Sequence, residues 1–178
     1  KRWIGCTLEA LGRFEEALAM QRAASNEILN TLTYRGAAKV GVASVLIELG
    51  RFEEARVIAR EASFELTFAP SHCAHALAKL AACELRVGDR DAALEAALRA
   101  VSIVDSMDVI GGGEAPIFVV LAEIYDERGD HAAAARAIER GASIVRTRAA
   151  RILDPHYRRC FEERVVANAW LLRSAKTR

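Results

Sequence analysis

The stretch Gly12-Arg13-Phe14-Glu15-Glu16-Ala17 returns as Gly50-Arg51-Phe52-Glu53-Glu54-Ala55, and looser copies run from Gly88 to Ala93 and from Gly129 to Ala134. The four glycines are 38, 38 and 41 residues apart. Self-similarity at a period of about 20 to 50 residues is typical of a stacked repeat architecture. The repeat therefore predicts an all-α array of helix pairs, a fold class whose usual role is binding rather than catalysis.

The amino-acid composition agrees with a folded helical array and indicates the cellular compartment. Of the 178 residues, 52% are hydrophobic and 28% are charged, and only three are prolines, which excludes a disordered chain. The net charge of +1 conceals a basic end, because residues 139–178 hold ten Lys or Arg against four Asp or Glu. No apolar run is long enough for a membrane span, and the four cysteines form no CxxC pair. We therefore expect a reducing, cytoplasmic setting.

Small residues recur at fixed positions in the predicted helices, which lets paired helices approach closely. The second helix of each unit has an alanine five residues after its glycine and another small residue seven positions further on. These positions are Ala17, Ala55, Ala93, Ala134, Ala24, Ala62, Ala100 and Gly141. The repeat glycines suit the left-handed residue that ends a helix. Asp91 and Asp130 suit N-caps, and Pro70 and Pro155 suit first-turn positions.

The predicted helices cover most of the chain. Their approximate bounds are 1–11, 14–30, 34–49, 52–66, 70–87, 91–106, 114–128, 131–150 and 155–174.

Helix pairs with this small-residue spacing resemble the tetratricopeptide repeat (TPR) family over almost the whole chain. The resemblance implies a right-handed α-solenoid of antiparallel helix pairs within a single domain, 1–178. Its units would lie at about 1–33, 34–69, 70–110 and 111–150, followed by a capping helix at about 154–175. The period exceeds the usual value of about 34 by roughly one helical turn, which longer helices would explain. Because the chain opens at Lys1, without Met and inside a helical pattern, we expect a fragment of a larger protein.

A narrower resemblance begins near Ile110. The motifs Leu121-Ala122-Glu123, Arg128-Gly129-Asp130 and Asp154-Pro155, with the stretch from Arg158 to Val165 and Asn168, resemble the closing segment of TPR arrays in large bacterial signalling ATPases and kinases. The resemblance implies a noncatalytic regulatory module attached to an NTP-hydrolysing domain. This chain departs from the pattern at Val166-Ala167, where a Pro-Glu pair is common.

The concave groove is the predicted binding site. In a TPR superhelix the first helix of each pair lines this groove, and a peptide, a protein partner or another domain of the parent chain would bind there. By that resemblance the groove residues are Val40, Ser44, Ile47, His75, Lys79, Arg86, Val119, Glu123 and Asp126. The lining alternates apolar and charged groups, which suits an extended segment or an amphipathic helix. It lacks the row of Lys and Asn that clamps a C-terminal carboxylate in chaperone-binding relatives.

A protein-binding groove has several alternatives in the sequence. A small-ligand sensor would bind an effector on the concave face and control an attached ATPase, and a structural spacer would bind nothing. No catalytic residue is predicted, because neither a nucleophile elbow nor an HExxH motif is present. His72 and His75 are two potential metal ligands where three or four are usual. Gly111-Gly112-Gly113 lacks the Lys and Ser/Thr of a phosphate loop, so neither a metal nor a cofactor is predicted.

Two surfaces outside the groove are candidates for contacts. The basic end carries the arginines Arg146, Arg148, Arg151, Arg158, Arg159 and Arg164. Because no aromatic platform interleaves with them, nucleic acid is disfavoured, and we predict a solvated cap or a docking face. The N-terminal edge is predicted to expose an apolar face through which the chain would form a homodimer.

Overall fold

The computed structural model describes residues 1–27, 31–107 and 113–177. Those ranges contain ten α-helices and no strand, which confirms the predicted all-α class. The helices are α1 (Arg2–Ala10), α2 (Phe14–Ser25), α3 (Leu32–Glu48), α4 (Phe52–Glu65), α5 (Pro70–Arg86), α6 (Arg90–Asp105), α7 (Ala115–Glu127), α8 (His131–Ala149), α9 (Pro155–Glu163) and α10 (Val166–Thr177). Among these helices, none is both long and apolar enough to cross a bilayer. Gly111 and Gly112 of the glycine run, and the predicted end of the second helix at 28–30, lie outside the described residues.

The chain divides into two compact units, Lys1–Ser106 and Met107–Arg178. The first unit contains three helix pairs, α1 with α2, α3 with α4, and α5 with α6. Within it α3 also packs against α1 and α5, whereas the backbones of the second helices α2, α4 and α6 do not pack on one another, although an ion pair between Arg22 and Glu54 links α2 to α4. The first helices therefore form the tighter, inner row of this unit, and the second helices form its outer row.

Lys39 shows how the helices of one pair run antiparallel. Its ammonium on α3 donates to Glu61 at 3.0 Å and to Glu65 at 2.6 Å, both late in α4, while the end of α3 lies beside the start of α4. Burial alone would lower the pKa of Lys39, but the hydrogen bonds to Glu65 and Glu61 outweigh it and raise the pKa above 10.5. The ammonium of Lys39 therefore stays charged at neutral pH and stabilises the antiparallel packing of α3 on α4.

The predicted left-handed glycines are confirmed at all four repeat positions. Gly12, Gly50, Gly88 and Gly129 have φ between 71° and 91°. The residue after each glycine donates its backbone N–H to a carbonyl five residues back, as Arg51 does to Leu46 at 2.8 Å. This is the bond that closes a Schellman turn and satisfies a helix-end carbonyl. A side chain at these glycines would meet nothing within 4 Å, so the backbone angle, and not space, is what requires glycine.

The residue after each glycine is the N-cap of the next helix. Asp130 accepts a hydrogen bond from the Ala133 N–H at 2.9 Å, as predicted. The prediction for Asp91 is wrong, because Asp89 is the cap of α6 and accepts from the Ala92 N–H at 2.9 Å. The physical reason is the turn: Gly88 reverses the chain, so the next residue is already at the helix start. Pro70 and Pro155 lie in first turns, as predicted.

The small-residue register is also confirmed. Fully buried alanines occupy the predicted positions, which are Ala17, Ala24, Ala55, Ala62, Ala93, Ala100 and Ala134. At Gly141 a Cβ would lie 2.8 Å from the Cβ of Phe118 and 2.9 Å from Leu171, so even alanine would be too large there. Close-packed interiors are sensitive to a single added methyl group, and these positions therefore set the helix spacing.

The last predicted helix is divided in two. A single helix at 155–174 is wrong, because α9 ends at Glu163 and α10 begins at Val166. The side chain of buried Asn168 donates to the carbonyl of Phe161 at 2.9 Å, where the N–H of Val165 would donate in a continuous helix. Of the two pieces, α10 packs on both α7 and α8 and caps the second unit, whereas α9 has no fully buried residue.

Candidate binding surfaces of the two units

Six of the predicted groove residues lie on two first helices of the first unit. They are Val40, Ser44 and Ile47 on α3, and His75, Lys79 and Arg86 on α5. Because α3 and α5 pack side by side, the structure brings these two sets onto adjacent helices. Arg86 is exposed, and Val40, Ile47, His75 and Lys79 are half-buried. We call this surface the α3–α5 face.

On the α3 half of this face, Ser44 and Ile47 make contacts within the unit. The Ser44 hydroxyl is buried and donates to a carboxylate oxygen of Glu9 on α1 at 2.6 Å. Ile47 packs against the hydrophobic core cluster that contains Val42, Val45 and Leu46. Ser44 and Ile47 thus help join the first helices, and the groups that can reach a ligand are chiefly on α5.

The α5 half of the face is cationic. Lys79 and Arg86 are seven residues apart, which places them on one side of the helix about 10 Å apart along its axis. Between them lies Cys83, a fully buried thiol. Burial raises the pKa of Cys83 from 9.0 to about 12, although the positive charge of Lys79 acts in the opposite direction. The thiol is therefore neutral and adds no negative charge between Lys79 and Arg86.

A buried carboxylate on α5 was not predicted from the sequence. Glu84 is 2% exposed and accepts hydrogen bonds from Arg60 at 2.6 Å and from Arg56 at 3.5 Å, both on α4. Leu8, Leu46 and Tyr125 hold the corresponding position in the other repeats. The sequence did contain one indication of this site, namely a charged residue at a position that is apolar in the other repeats. A charge buried at such a position requires a partner.

Gln21 on α2 is a second buried polar group that sequence reasoning missed. It is fully buried, and its amide nitrogen donates to the Arg2 carbonyl at 3.3 Å and to the Cys6 sulfur at 3.4 Å. A Cβ on Gly5 of α1 or on Gly41 of α3 would come within 2.8 Å or 2.6 Å of it. The sequence shows the two glycines as small residues, but it does not indicate that the side-chain amide of Gln21 fills the space between them.

The remaining predicted groove residues, Val119, Glu123 and Asp126, lie on α7 in the second unit and are half-buried. A carboxylate oxygen of Asp126 lies 2.9 Å from Nδ1 of His131 at the start of α8. These two side chains line an open cavity of about 670 Å³ together with Ala132 and Ala135. The cavity thus combines a small apolar wall with a carboxylate–imidazole pair.

The basic end is partly neutralised. Arg148 pairs with buried Glu114, and Arg146 pairs with Glu139 at 2.7 Å. The guanidinium of Arg158 donates twice to the Ile152 carbonyl, at 3.0 and 2.8 Å, and so ties α9 to the end of α8. Three of the six predicted arginines therefore have contacts inside their own unit.

The histidines and cysteines of the described residues do not form a metal-binding cluster. Among those residues, no group of three or more His, Cys, Asp or Glu side chains is arranged to hold a metal ion. His72 is half-buried. All four cysteines are free thiols, and Cys73 and Cys83 are buried.

Comparisons with known proteins agree with this geometry. The tetratricopeptide repeat profile matches residues 37–61, within α3 and α4, and residues 117–140, within α7 and α8. Among solved structures, a Podosopora anserina kinesin light chain-like protein with nearly identical TPR-like repeats is similar, with 15% identity and a TM-score of 0.62. That match covers 99% of this chain and 92% of that one. The structure of MamA is also similar, at 18% identity and a TM-score of 0.53, covering 97% of this chain and 91% of that one.

A search of curated protein sequences finds no significant match. The fold is nonetheless that of a TPR-like helical repeat protein, and two matched segments support the tetratricopeptide repeat family. Repeats of this family generally mediate protein–protein interaction and are generally noncatalytic scaffolds. Their extended surfaces, built from stacked helix pairs, are what suits them to binding.

Proposed function

We propose that this chain is a noncatalytic protein-interaction module that holds an acidic peptide, or an acidic segment of a neighbouring domain, on its α3–α5 face. The observation that carries the proposal is the pair Lys79 and Arg86, placed on one side of an inner helix of a TPR-like unit. Charge complementarity of this kind steers association and sets specificity. Half-buried Val40 and His75 beside the cations would add apolar contact to the partner's side chains.

The wider context of the proposal comes from the resemblance of the C-terminal segment. A module of a larger cytoplasmic bacterial signalling protein would use this face to hold a partner or another domain of its own chain. Free thiols at all four cysteines agree with a reducing compartment. Regulation would then consist of occupancy of the face, since a bound segment can shift an attached domain between states only through differential affinity.

Selection of random twelve-residue peptides displayed on phage, with the whole chain as bait, tests this function. We expect Asp- and Glu-rich peptides to be enriched, and their binding to weaken as salt rises. The double variant Lys79→Glu/Arg86→Glu should lose them, because it reverses the charge of the face. The matched control is Arg99→Glu/Arg136→Glu, which makes the same charge change at exposed positions of α6 and α8. Peptides without acidic bias, or equal loss in both variants, would refute the proposal.

A small-ligand sensor is the second candidate, and the open cavity beside Asp126 and His131 is the observation that favours it. The carboxylate holds the imidazole in one orientation, which would let the ring donate to or accept from a small polar ligand. A fragment screen monitored by the methyl resonances of Ala132 and Ala135 tests this role. Saturable shifts that disappear in His131→Ala would support the sensor, and their absence would leave only the peptide-binding function.

A further inference from the structure

Helix α4 carries an apolar stripe that is exposed to solvent. Phe64 is 78% exposed, and Val57, two helical turns earlier, is 52% exposed. Phe68 follows one turn later, just beyond the end of the helix, and is 56% exposed. Residues with this spacing lie on one side of a helix. We call Val57, Phe64 and Phe68 the α4 stripe, and an exposed apolar group of this kind is typical of an interaction site.

The other three repeats have polar residues where the α4 stripe has phenylalanine. The counterparts of Phe64 and then of Phe68 are Asn26, Ser102 and Ser143, and Asn30, Ser106 and Thr147. All of these that the structure describes are exposed. A helix of this repeat therefore folds with a polar residue at either position, and packing within the chain does not account for the two aromatic rings. A partner surface does account for them, because burying a phenylalanine removes a large apolar area from water.

Opposite charges flank the α4 stripe. Arg60 and Glu61 are consecutive residues and so lie about 100° apart around the helix, one on each side of the stripe. Arg60 donates one N–H group to Glu84, yet its side chain remains 61% exposed. Glu61 accepts from Lys39 with one oxygen, yet its side chain remains 50% exposed. The stripe thus has a positive edge and a negative edge at the same height, a pattern that complements a second copy of itself.

We propose that the α4 stripe binds the α4 stripe of a second copy of this chain, with the two helices parallel about a twofold axis. This axis turns the positive edge of one copy toward the negative edge of the other, so Arg60 lies opposite the partner's Glu61 on both sides of the contact. Antiparallel helices would bring like charges together. Phe64 and Phe68 pack on their own counterparts along the axis, as in any isologous contact.

The proposed contact is separate from the α3–α5 face and does not depend on the acidic-peptide function. It also lies on the second repeat, and not at the N-terminal edge where the sequence predicted a homodimer.

Sedimentation equilibrium of the whole chain and of Phe64→Asn tests the contact. Asn is the residue of the first repeat at this position, so the variant should keep the fold, which circular dichroism checks. We expect a monomer–dimer equilibrium whose dissociation constant rises roughly a hundredfold in the variant, because each dimer loses two buried phenylalanines. Leu98→Asn on α6 is the control, since Leu98 is also apolar and exposed, and it should dimerise like the native chain. A native chain that stays monomeric, or a Phe64→Asn chain that dimerises as tightly, would overturn the proposal.

Disulfide cross-linking tests the parallel arrangement. Position 57 lies beside its own counterpart when the helices are parallel, so Val57→Cys should give covalent dimers with oxidised glutathione as the oxidant. Ala19→Cys, at the corresponding exposed position of α2, should give few. Mass spectrometry of the dimers should find the two substituted positions joined to each other. Equal cross-linking of the two variants, or links only to the native Cys6 or Cys160, would overturn the parallel α4 contact.

Discussion

Glu84 of α5 and Arg60 of α4 are joined by a 2.6 Å ion pair in which the carboxylate is 2% exposed and the guanidinium lies largely in solvent. Arg56 approaches the other carboxylate oxygen at 3.5 Å. The pair therefore links two adjacent repeats through a charge at a position where the preceding repeat uses Leu46. Such an arrangement stabilises one helix register only while both partners are present.

Glu84→Gln should destabilise the first unit by about 1–3 kcal/mol, because it leaves Arg56 and Arg60 without their carboxylate. Replacing the pair together, as Glu84→Leu/Arg56→Leu, reproduces the Leu46–Leu18 contact of the preceding repeat and should be close to neutral. Urea unfolding measures both, with Glu95→Gln on the exposed side of α6 as the control. A double variant less stable than the single one would show that the ion pair itself sets the packing.

Ala55→Leu or Ala93→Leu should cost about 1–3 kcal/mol, because extra methylenes are forced into a helix interface that leaves no space for them. Both alanines are fully buried. Ala19→Leu on α2 is the matched control, because Ala19 is exposed. Thermal unfolding of the three variants checks the register, and equal melting temperatures would contradict it.

Two glycines should respond in opposite ways to the same substitutions. Gly50 has φ 71° and open space around it, so Gly50→Ala should cost about 1–2 kcal/mol and Gly50→Asn less, since Asn tolerates left-handed backbone. Gly141 is limited by Phe118 and Leu171, so there the larger Asn should cost more than Ala. Chemical denaturation of the four variants tests the two orders. If Asn were the better replacement at both sites, packing would not be what limits Gly141.

Thiol reactivity should divide the cysteines into two classes. At pH 8, Cys6 and Cys160, which are half-buried, should react with N-ethylmaleimide well before buried Cys73 and Cys83, whose pKa values are raised by burial. Mass spectrometry of the time course measures the order, and all four should react alike in guanidinium chloride. Alkylation of Cys83 in the folded chain as fast as that of Cys160 would contradict the structure.

Alkaline pH should weaken the fold through Cys83. Its folded pKa is about 12 against an ordinary 9.0, so the stabilisation is fully present below pH 9 and is lost as the pH rises from 9 toward 12. At pH 10 the loss should be about 1 kcal/mol, because one pKa unit corresponds to about 1.4 kcal/mol. Comparing unfolding of the native chain and of Cys83→Ala at pH 8 and pH 10 isolates this contribution. A native chain that loses no more stability than Cys83→Ala would refute it.

The parts of the fold that the sequence predicted are those that a residue's own geometry decides. Gly50 ends its helix because a left-handed backbone favours glycine, and Ala55 marks an interface because only a small side chain allows close helix packing. Both effects are local and recur with the repeat, so the helix pairs, their turns and the buried small residues could be read from the spacing alone.

Tertiary structure decided the positions where a polar group is buried, because its stability depends on a partner from another helix. Nothing near Glu84 in the sequence indicates that Arg56 and Arg60, a helix earlier, would neutralise it. Gln21 is enclosed by Gly5 and Gly41 from two different helices, and Asn168 divides the last helix by bonding to the carbonyl of Phe161. The same holds for the candidate binding surface. The sequence predicted that Ser44 and Lys79 lie on one face. Only the packing showed that the Ser44 hydroxyl is hydrogen-bonded to Glu9, and that the positive charge of this face comes from α5.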